Sequence, residues 1–317
     1  MIKDVITIGD AMITFDPIMR GPLKFVHSFE RKAGGAELNF AIGCSRLGLH
    51  TGFVSRIGND EFGRYLFNFI RGEGIDTSEV KLIDGYPTSI NFKEIFADGT
   101  GRTFYYRDRS PMEVLTQDDI REDFIQNTKV LHITGVFAAL QPKNIDILEH
   151  AVTLAKKHGV KVSIDPNIRL RLWDLDEARE GLLRLLPYAD IVLSGEEEAK
   201  WIFGEGSLKQ YIDQFKHLGA KHIIIKRGDK GAVGFKGEKM VDVDAKTPQV
   251  VADTVGAGDG FNAGYIYAYL QGKDLHASLE FANTVGSMVV SVLGDNEGLP
   301  YLEDVKKYLG EDEFIER

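Results

Sequence analysis

The sequence has 317 residues, 43% of them hydrophobic, and a net charge of -10, enough chain for one large α/β domain or two ordinary ones with a buried core. The acidic balance argues against general affinity for nucleic acid. No run of about 18 apolar residues and no basic-apolar-small N-terminal pattern occurs, which argues against membrane spanning and secretion. The single cysteine, Cys44, has no intramolecular disulfide partner and no Cys/His cluster around it, so a reducing cytoplasm is the expected compartment.

The first apolar run, Val5 to Ile8, closes on Gly9-Asp10. It reads as a buried strand that delivers a carboxylate at its carboxyl end, where open α/β sheets place ligands. Met12 to Lys32 then breaks the pattern. The stretch Ala33-Gly34-Gly35-Ala36-Glu37-Leu38-Asn39-Phe40-Ala41 enters a helix; its glycines permit close approach to the backbone, and Asn39 can donate to and accept from hydroxyls. Cys44, among Ala41, Ile42 and Leu47, reads as a small core residue. Asp60, spaced between Gly58 and Gly63, reads as a helix cap.

Thr88 to Arg107 breaks the rhythm a second time. Ile90, Phe92, Glu94 and Phe96 alternate, turn at Asp98-Gly99 and return through Phe104 and Tyr106, a hairpin pattern. Val130 to Ile133, Lys161 to Ile164, Ile191 to Leu193 and His222 to Ile225 read as further central strands. Between the first two, Pro142 to His158 is helical with Gly159 as its stop. The expected fold is α/β: a doubly wound, mainly parallel sheet with helices on both faces, from residues 1–11, 33–87 and 108–317, with a small β lid from residues 12–32 and 88–107. Gly310 to Arg317 reads as a loosely held acidic tail.

Near the end stands Asp253-Thr254-Val255-Gly256-Ala257-Gly258-Asp259-Gly260-Phe261, followed by an apolar helix through Ala263, Ile266, Tyr267 and Leu270. Gly256 and Gly258 let backbone N–H groups converge at a helix N-terminus, a place that attracts phosphate. Asp259, in the first helical turn, can face a substrate hydroxyl and take its proton. The bland alternative is a tight loop with Asp259 as its cap.

The string Asp253 to Asp259 resembles the second signature of the ribokinase-like (PfkB) family of sugar kinases, and Ala33 to Ala41 with Leu47-Gly48 resembles the first, in the family's order. The resemblance covers almost the whole chain, including Val54 to Gly63 as a strand and loop. It implies a ribokinase-like fold, a sugar and ATP as ligands, and Mg2+ as cofactor, with a monovalent cation as a further candidate. It also implies Asp259 as the base, with Gly256, Ala257 and Gly258 around the transferred phosphate. Asp10, Gly34, Gly35 and Asn39 match positions that hold sugar hydroxyls. Lys226-Arg227-Gly228-Asp229-Lys230-Gly231-Ala232-Val233 resembles the nucleotide-side loop, where Lys226, Gly228 and Gly231 face ATP, and Asn283 matches a position lining the adenine pocket. Glu198 matches the carboxylate that organises magnesium-bound water, although Gly195 stands where relatives usually carry Asn. Relatives clasp two lids together, which implies a homodimer.

Ser163 to Trp173, with Asp165, Asn167 and Arg169, resembles a string shared by fructokinases and 2-keto-3-deoxygluconate kinases, which implies a six-carbon keto sugar. Arg169 can bind an anomeric or carboxylate oxygen, or pair structurally with an acid. Tyr105 and Arg107 resemble the acid-sugar kinases, yet Asn91 stands where those usually carry Tyr. On that departure fructose is the main expectation and 2-keto-3-deoxygluconate the alternative. A reading from another class, a non-catalytic nucleotide or sugar-binding protein, is disfavoured by the retained Asp259. A dinucleotide oxidoreductase is disfavoured because no G-x-G-x-x-G follows the first strand.

Overall fold

Short β-branched runs alternate with amphipathic stretches along the chain, and a computed structural model, which describes residues 2–96, 101–248 and 250–311, turns that alternation into strands and helices. The order begins β1 (Lys3–Ile8), β2 (Met12–Pro17), β3 (Phe29–Gly34), α1 (Ala36–Arg46), β4 (Thr51–Gly58), α2 (Glu61–Gly72), β5 (Asp76–Ile83), β6 (Ile90–Ile95) and β7 (Gly101–Tyr106). It continues through α3 (Glu122–Gln126), β8 (Thr128–Thr134), α4 (Gly135–Leu140), α5 (Lys143–Lys157), β9 (Lys161–Asp165), α6 (Leu175–Leu185), β10 (Ile191–Gly195), α7 (Glu196–Phe203) and α8 (Leu208–His217). The rest is β11 (His222–Lys226), β12 (Ala232–Lys236), β13 (Lys239–Val243), α9 (Ala257–Leu270), α10 (Leu275–Val289) and α11 (Leu302–Leu309). The expected turn at Asp98-Gly99 and most of the acidic tail lie outside the described residues.

Nine strands form one sheet in the order β13-β12-β11-β10-β9-β8-β1-β4-β5. It is parallel from β11 to β5, and β12 and β13 add an antiparallel edge that the sequence reading did not anticipate. Because successive strand side chains point to opposite faces, Val5, Val130 and Ile224 pack with α1, α9 and α10, whereas Ile6, Leu131 and Ile223 pack with α5, α6 and α8. Each fully buried side chain of this size contributes about 1.5–3 kcal/mol. The doubly wound sheet with helices on both faces is therefore the observed architecture.

The strand order reverses at β1, which pairs with β4 on one side and β8 on the other. At such a reversal the carboxyl ends of the strands part and leave a crevice. A second sheet, in the order β3-β2-β6-β7, covers it; β2 and β6 run parallel, and the outer pairs are antiparallel. Asp60 ties this lid to the body. It caps α2 by accepting from the Gly63 amide at 2.8 Å, and it also accepts from the Thr88 amide at 2.8 Å.

Register divides the lid into two faces. Phe15 pairs with Phe92 and Phe92 with Phe104, so an aromatic row forms on the outer face, with Phe15 and Phe92 stacked at 4.8 Å. Thr14 pairs with Asn91 and Asn91 with Tyr105, which places polar groups on the inner face over the crevice. Among the described residues no helix is long and apolar enough to cross a membrane.

Candidate active site

Three cavities that share walls follow the carboxyl ends of the strands under the lid. The first, about 450 Å³, is lined by Asp10, Asn39, Asn91, Tyr105, Arg107, Arg169 and Asp259. The second, about 390 Å³, shares Asn91, Arg169, Gly256 and Asp259 and reaches Asp165, Glu198, Lys226 and Gly258. The third, about 480 Å³, shares Lys226 and Gly258 and continues past Gly228, Gly231 and Asn283 over apolar walls from Val251, Phe261 and Val290. Asp259 and the two loop glycines stand where the polar end and the apolar end meet.

That junction follows from local backbone chemistry. Gly256 is the N-cap of α9 with φ +77°, a left-handed conformation that favours glycine. A Cβ there would lie 2.1 Å from the Asp295 carbonyl oxygen, whereas one at Gly258 would meet nothing nearer than the Lys226 ammonium at 4.0 Å. Gly256 is therefore required by packing, and Gly258 faces open cavity. Among the described residues no group accepts from the Gly258 and Asp259 amides, so the first turn of α9 presents free donors and its positive end to the crevice. Asp259 does not cap the helix. Its carboxylate accepts from Asn39 Nδ2 at 3.0 Å. Burial and the nearby Asp165 push its pKa up to about 7, against the pull of Asn39, Arg169 and Lys226.

On the polar side, the buried carboxylate of Asp10 has no well-formed hydrogen bond beyond loose contacts with Ser89 and the Ala11 amide, and the amide oxygen of Asn91 is unpartnered. Burial raises Asp10 to about 6, although the Arg107 charge opposes the shift. These buried acceptors suit a ligand bearing hydroxyl donors. Arg107 stacks over Tyr105 at 4.5 Å, and neither its guanidinium nor that of Arg169 makes a hydrogen bond or ion pair with a described residue. Gly35 has φ +128° and brings α1 so close to β1 that a Cβ would lie 2.5 Å from the Asp10 carbonyl. Gly34 corrects its expectation: it does not line the cavity, and a Cβ on it would meet Asp295 and Thr14 at 2.6 Å. Its role here is packing behind the wall.

On the other side, Lys226 donates to Asp165 at 2.9 Å and to the Asn262 amide oxygen at 3.2 Å, and Asn262 donates to Asp165 at 2.5 Å. Asn283 donates to the Val243 and Asp244 carbonyls at 3.2 and 3.1 Å, so its amide shapes the third cavity by holding the segment after β13. Gly228 and Gly231, both at positive φ, turn the chain along the same cavity. Glu198 accepts from the Gly195 amide at 2.7 Å and the Ile168 amide at 3.0 Å; burial and Asp165 raise its pKa. The Gly195 contact is a helix-capping one from the backbone and leaves the place of the expected Asn side chain unfilled. Among the described residues no cluster of His, Cys, Asp and Glu can by itself hold a metal ion. Two buried carboxylates, Asp165 and Glu198, on the wall of the second cavity fit a magnesium ion carried mainly by phosphate and water.

Sequence reading gave no role to several groups gathered here. Glu37 is buried on the cavity wall, accepts from Thr134 Oγ1 and from the Phe137 amide at 3.1 Å, and is pushed up to about 7 by burial. Its place in the first turn of the Gly-Gly helix was the available signal. Asn262 lies one turn beyond Asp259, on the same helix face. Asp253 opens the glycine-loop string but was given no role, and Lys93 and Asp295 carried no local signal.

The pfkB family carbohydrate kinase description matches residues 2–302. A Thermoproteus tenax protein named 2-dehydro-3-deoxygluconokinase is 31% identical over 309 residues, covering 96% of this chain and 94% of that protein. A Clostridium perfringens protein named 5-dehydro-2-deoxygluconokinase is 30% identical over 317 residues, covering 96% and 92%. An E. coli protein solved in complex with ATP and Mg2+ superposes with a TM-score of 0.91 at 26% identity, covering 98% of this chain and 100% of that one.

Proposed function

We infer that this chain, which belongs to the pfkB carbohydrate kinase family, phosphorylates an acidic six-carbon keto sugar, 2-dehydro-3-deoxygluconate (2-keto-3-deoxygluconate). It is an ATP-dependent sugar kinase. The observation that carries the acid is the pair of guanidinium groups, Arg107 and Arg169, that line the first cavity without a hydrogen-bonded or ion-paired partner among the described residues. A carboxylate can pair with both charges through charge-assisted hydrogen bonds, whereas fructose offers these half-buried and exposed guanidiniums only neutral hydroxyls. The relatives named above favour this reading over the fructose first expected. Asn91, the residue behind that expectation, lies directly across β6–β7 from Tyr105, so the neighbouring strand brings a tyrosine to the same face.

In the mechanism that the geometry supports, Asp10 and Asn91 accept from sugar hydroxyls, and Arg107 and Arg169 hold the carboxylate. The terminal primary hydroxyl then reaches Asp259, whose carboxylate is aimed by Asn39 and takes the proton as the oxygen attacks the γ-phosphorus. The free amides of the α9 first turn and the Lys226 ammonium face the phosphate and stabilise the charge that moves onto it. Asp165 and Glu198 are the residues that would hold a magnesium ion there through phosphate and water, and it would supply further neutralisation of phosphate charge. The third cavity takes the adenosine end of ATP against its apolar walls.

The test is ADP release with 2-keto-3-deoxygluconate, 5-keto-2-deoxygluconate, fructose, ribose and adenosine offered separately. The first is expected to give the highest kcat/KM. Arg169→Met is expected to lower that value by about tenfold to a hundredfold, the worth of a charge-assisted hydrogen bond, and to change the fructose value much less. A higher efficiency with fructose that survives Arg169→Met sinks the acid-sugar assignment. The outer aromatic row of the lid supports pairing with a second copy. Sedimentation at micromolar concentration is expected to give a dimer, and a monomer alone counts against that pairing.

A further inference from the structure

The inner face of the lid carries a charge to which the phosphotransfer steps assign no role. Lys93 on β6 has a side chain only 7% exposed, and its ammonium pairs with Asp295, with Asp16 at 3.5 Å and with Asp253 at 3.5 Å. Asp16 belongs to the neighbouring lid strand β2. The other two belong to the body and hold the catalytic loop. Asp253 accepts from the Val255 amide at 3.0 Å and from the Gly294 amide at 3.4 Å, which joins the start of the glycine loop to the segment after α10. That segment packs its Asp295 carbonyl against Gly256. Its next residue, Asn296, donates to the Ala33 carbonyl at 2.7 Å and to Asn39 Oδ1 at 3.4 Å, and Asn39 donates to Asp259.

A continuous set of contacts therefore runs from a lid strand to the base. Three carboxylates converge at its centre, where burial strengthens their mutual repulsion. Lys32, from β3, pairs with Asp16 at 3.4 Å and donates to the Leu293 carbonyl at 3.2 Å, so it neutralises the outer carboxylate. Only Lys93 reaches Asp253 and Asp295 among the described ion pairs. Burial alone would lower the Lys93 pKa, yet Asp295, Asp16 and Asp253 together raise it above the ordinary lysine value.

We propose that Lys93 is a positioning residue for phosphoryl transfer: the lid delivers its ammonium between Asp253 and Asp295 and so fixes the glycine loop that carries Asp259. Seating of the lid and ordering of the phosphate loop become one event. The proposal rests on the kinase activity and not on which sugar is used, because Lys93 lies off the wall of the first cavity and on that of the second, beside the glycine loop.

The experiment uses the full chain with whichever sugar the unaltered enzyme turns over best, so a wrong sugar assignment shows up first in that control. Lys93→Met is expected to lower kcat by about a hundredfold, the cost of a small misplacement of reacting groups, with sugar KM nearly unchanged. Lys93→Arg is expected to retain most of kcat. Lys93→Ala is expected to regain at least tenfold when ammonium or methylammonium is added at constant ionic strength, and not with tetramethylammonium, which is too large for the vacated space. Should Lys93→Met fail to fold, Lys93→Met combined with Asp295→Asn lightens the buried charge and provides the measurement. Full turnover in Lys93→Met or in that double variant overturns the proposal, as does a loss in Lys93→Ala that no cation relieves.

Discussion

Asp259→Asn is expected to lower turnover by about a hundredfold or more while ATP and sugar still bind with near-normal affinity, because it removes a proton acceptor and keeps the shape of the side chain. The Asn39 contact at 3.0 Å survives, since the amide oxygen can accept as the carboxylate did. In the unaltered enzyme the pKa of about 7, raised by burial first and by Asp165 next, places the rising limb of the rate profile near neutrality. Only the ionised carboxylate takes a proton, so turnover climbs with pH through that value and then levels.

Stability moves the opposite way. The folded state of the unaltered protein binds one more proton than the unfolded state between about pH 4 and pH 7, so rising pH through that window lowers stability. Asp259→Asn carries no such charge. Its thermal midpoint is expected to exceed that of the unaltered protein above pH 7 and to converge with it near pH 4. The gain has a ceiling of roughly 4 kcal/mol from the size of the shift. Retained turnover in this variant removes Asp259 from the role of base. Equal melting at every pH contradicts a buried, destabilised carboxylate.

The two glycines of the same loop are expected to fail in different ways. Gly256→Ala must hold an L-residue at φ +77° and push its Cβ to 2.1 Å from the Asp295 carbonyl. The left-handed backbone costs about 1–2 kcal/mol, and displacing the adjoining segment adds to it. Both the melting temperature and turnover are expected to fall. Gly258 sits inside α9, where a Cβ would meet no foreign atom nearer than the Lys226 ammonium at 4.0 Å, and valine is a better helix former than glycine. Gly258→Val is expected to fold normally and to lose about a hundredfold or more in turnover, because its methyl groups occupy the space in front of the free amides. Calorimetry with ATP and with sugar separates the cases: the Gly258 variant keeps sugar binding and loses nucleotide binding. If Gly258→Val instead unfolds, the glycine serves the turn and not the phosphate.

Whereas β4 was read from the family resemblance and β5, interrupted by polar residues, was missed, five of the nine central strands, β1 and β8 to β11, were legible because each is a short apolar run that depends on neighbours a few residues away. The same holds for α5 (Lys143–Lys157) and its glycine stop, observed as Gly159 at φ +71°. The antiparallel edge of β12 and β13 was missed, since two short exposed strands after a glycine loop carry little periodicity. Arg107 and Arg169 were readable as candidates, but whether they were spent on acids inside the fold was not.

The sequence by itself determined the doubly wound body, the glycine loop before α9 and the carboxylate in its first turn, because backbone preference and apolar spacing are local properties. Only the tertiary structure decided which side chains meet. Asn39 reaches Asp259 across 220 residues of chain. Tyr105 stands beside Asn91 because the lid strands pair in one register and no other. Lys93 gathers carboxylates from a lid strand and from two segments of the body. Contacts of that kind carry no periodic trace, since what selects them is the charge and space left when separate elements close on one another.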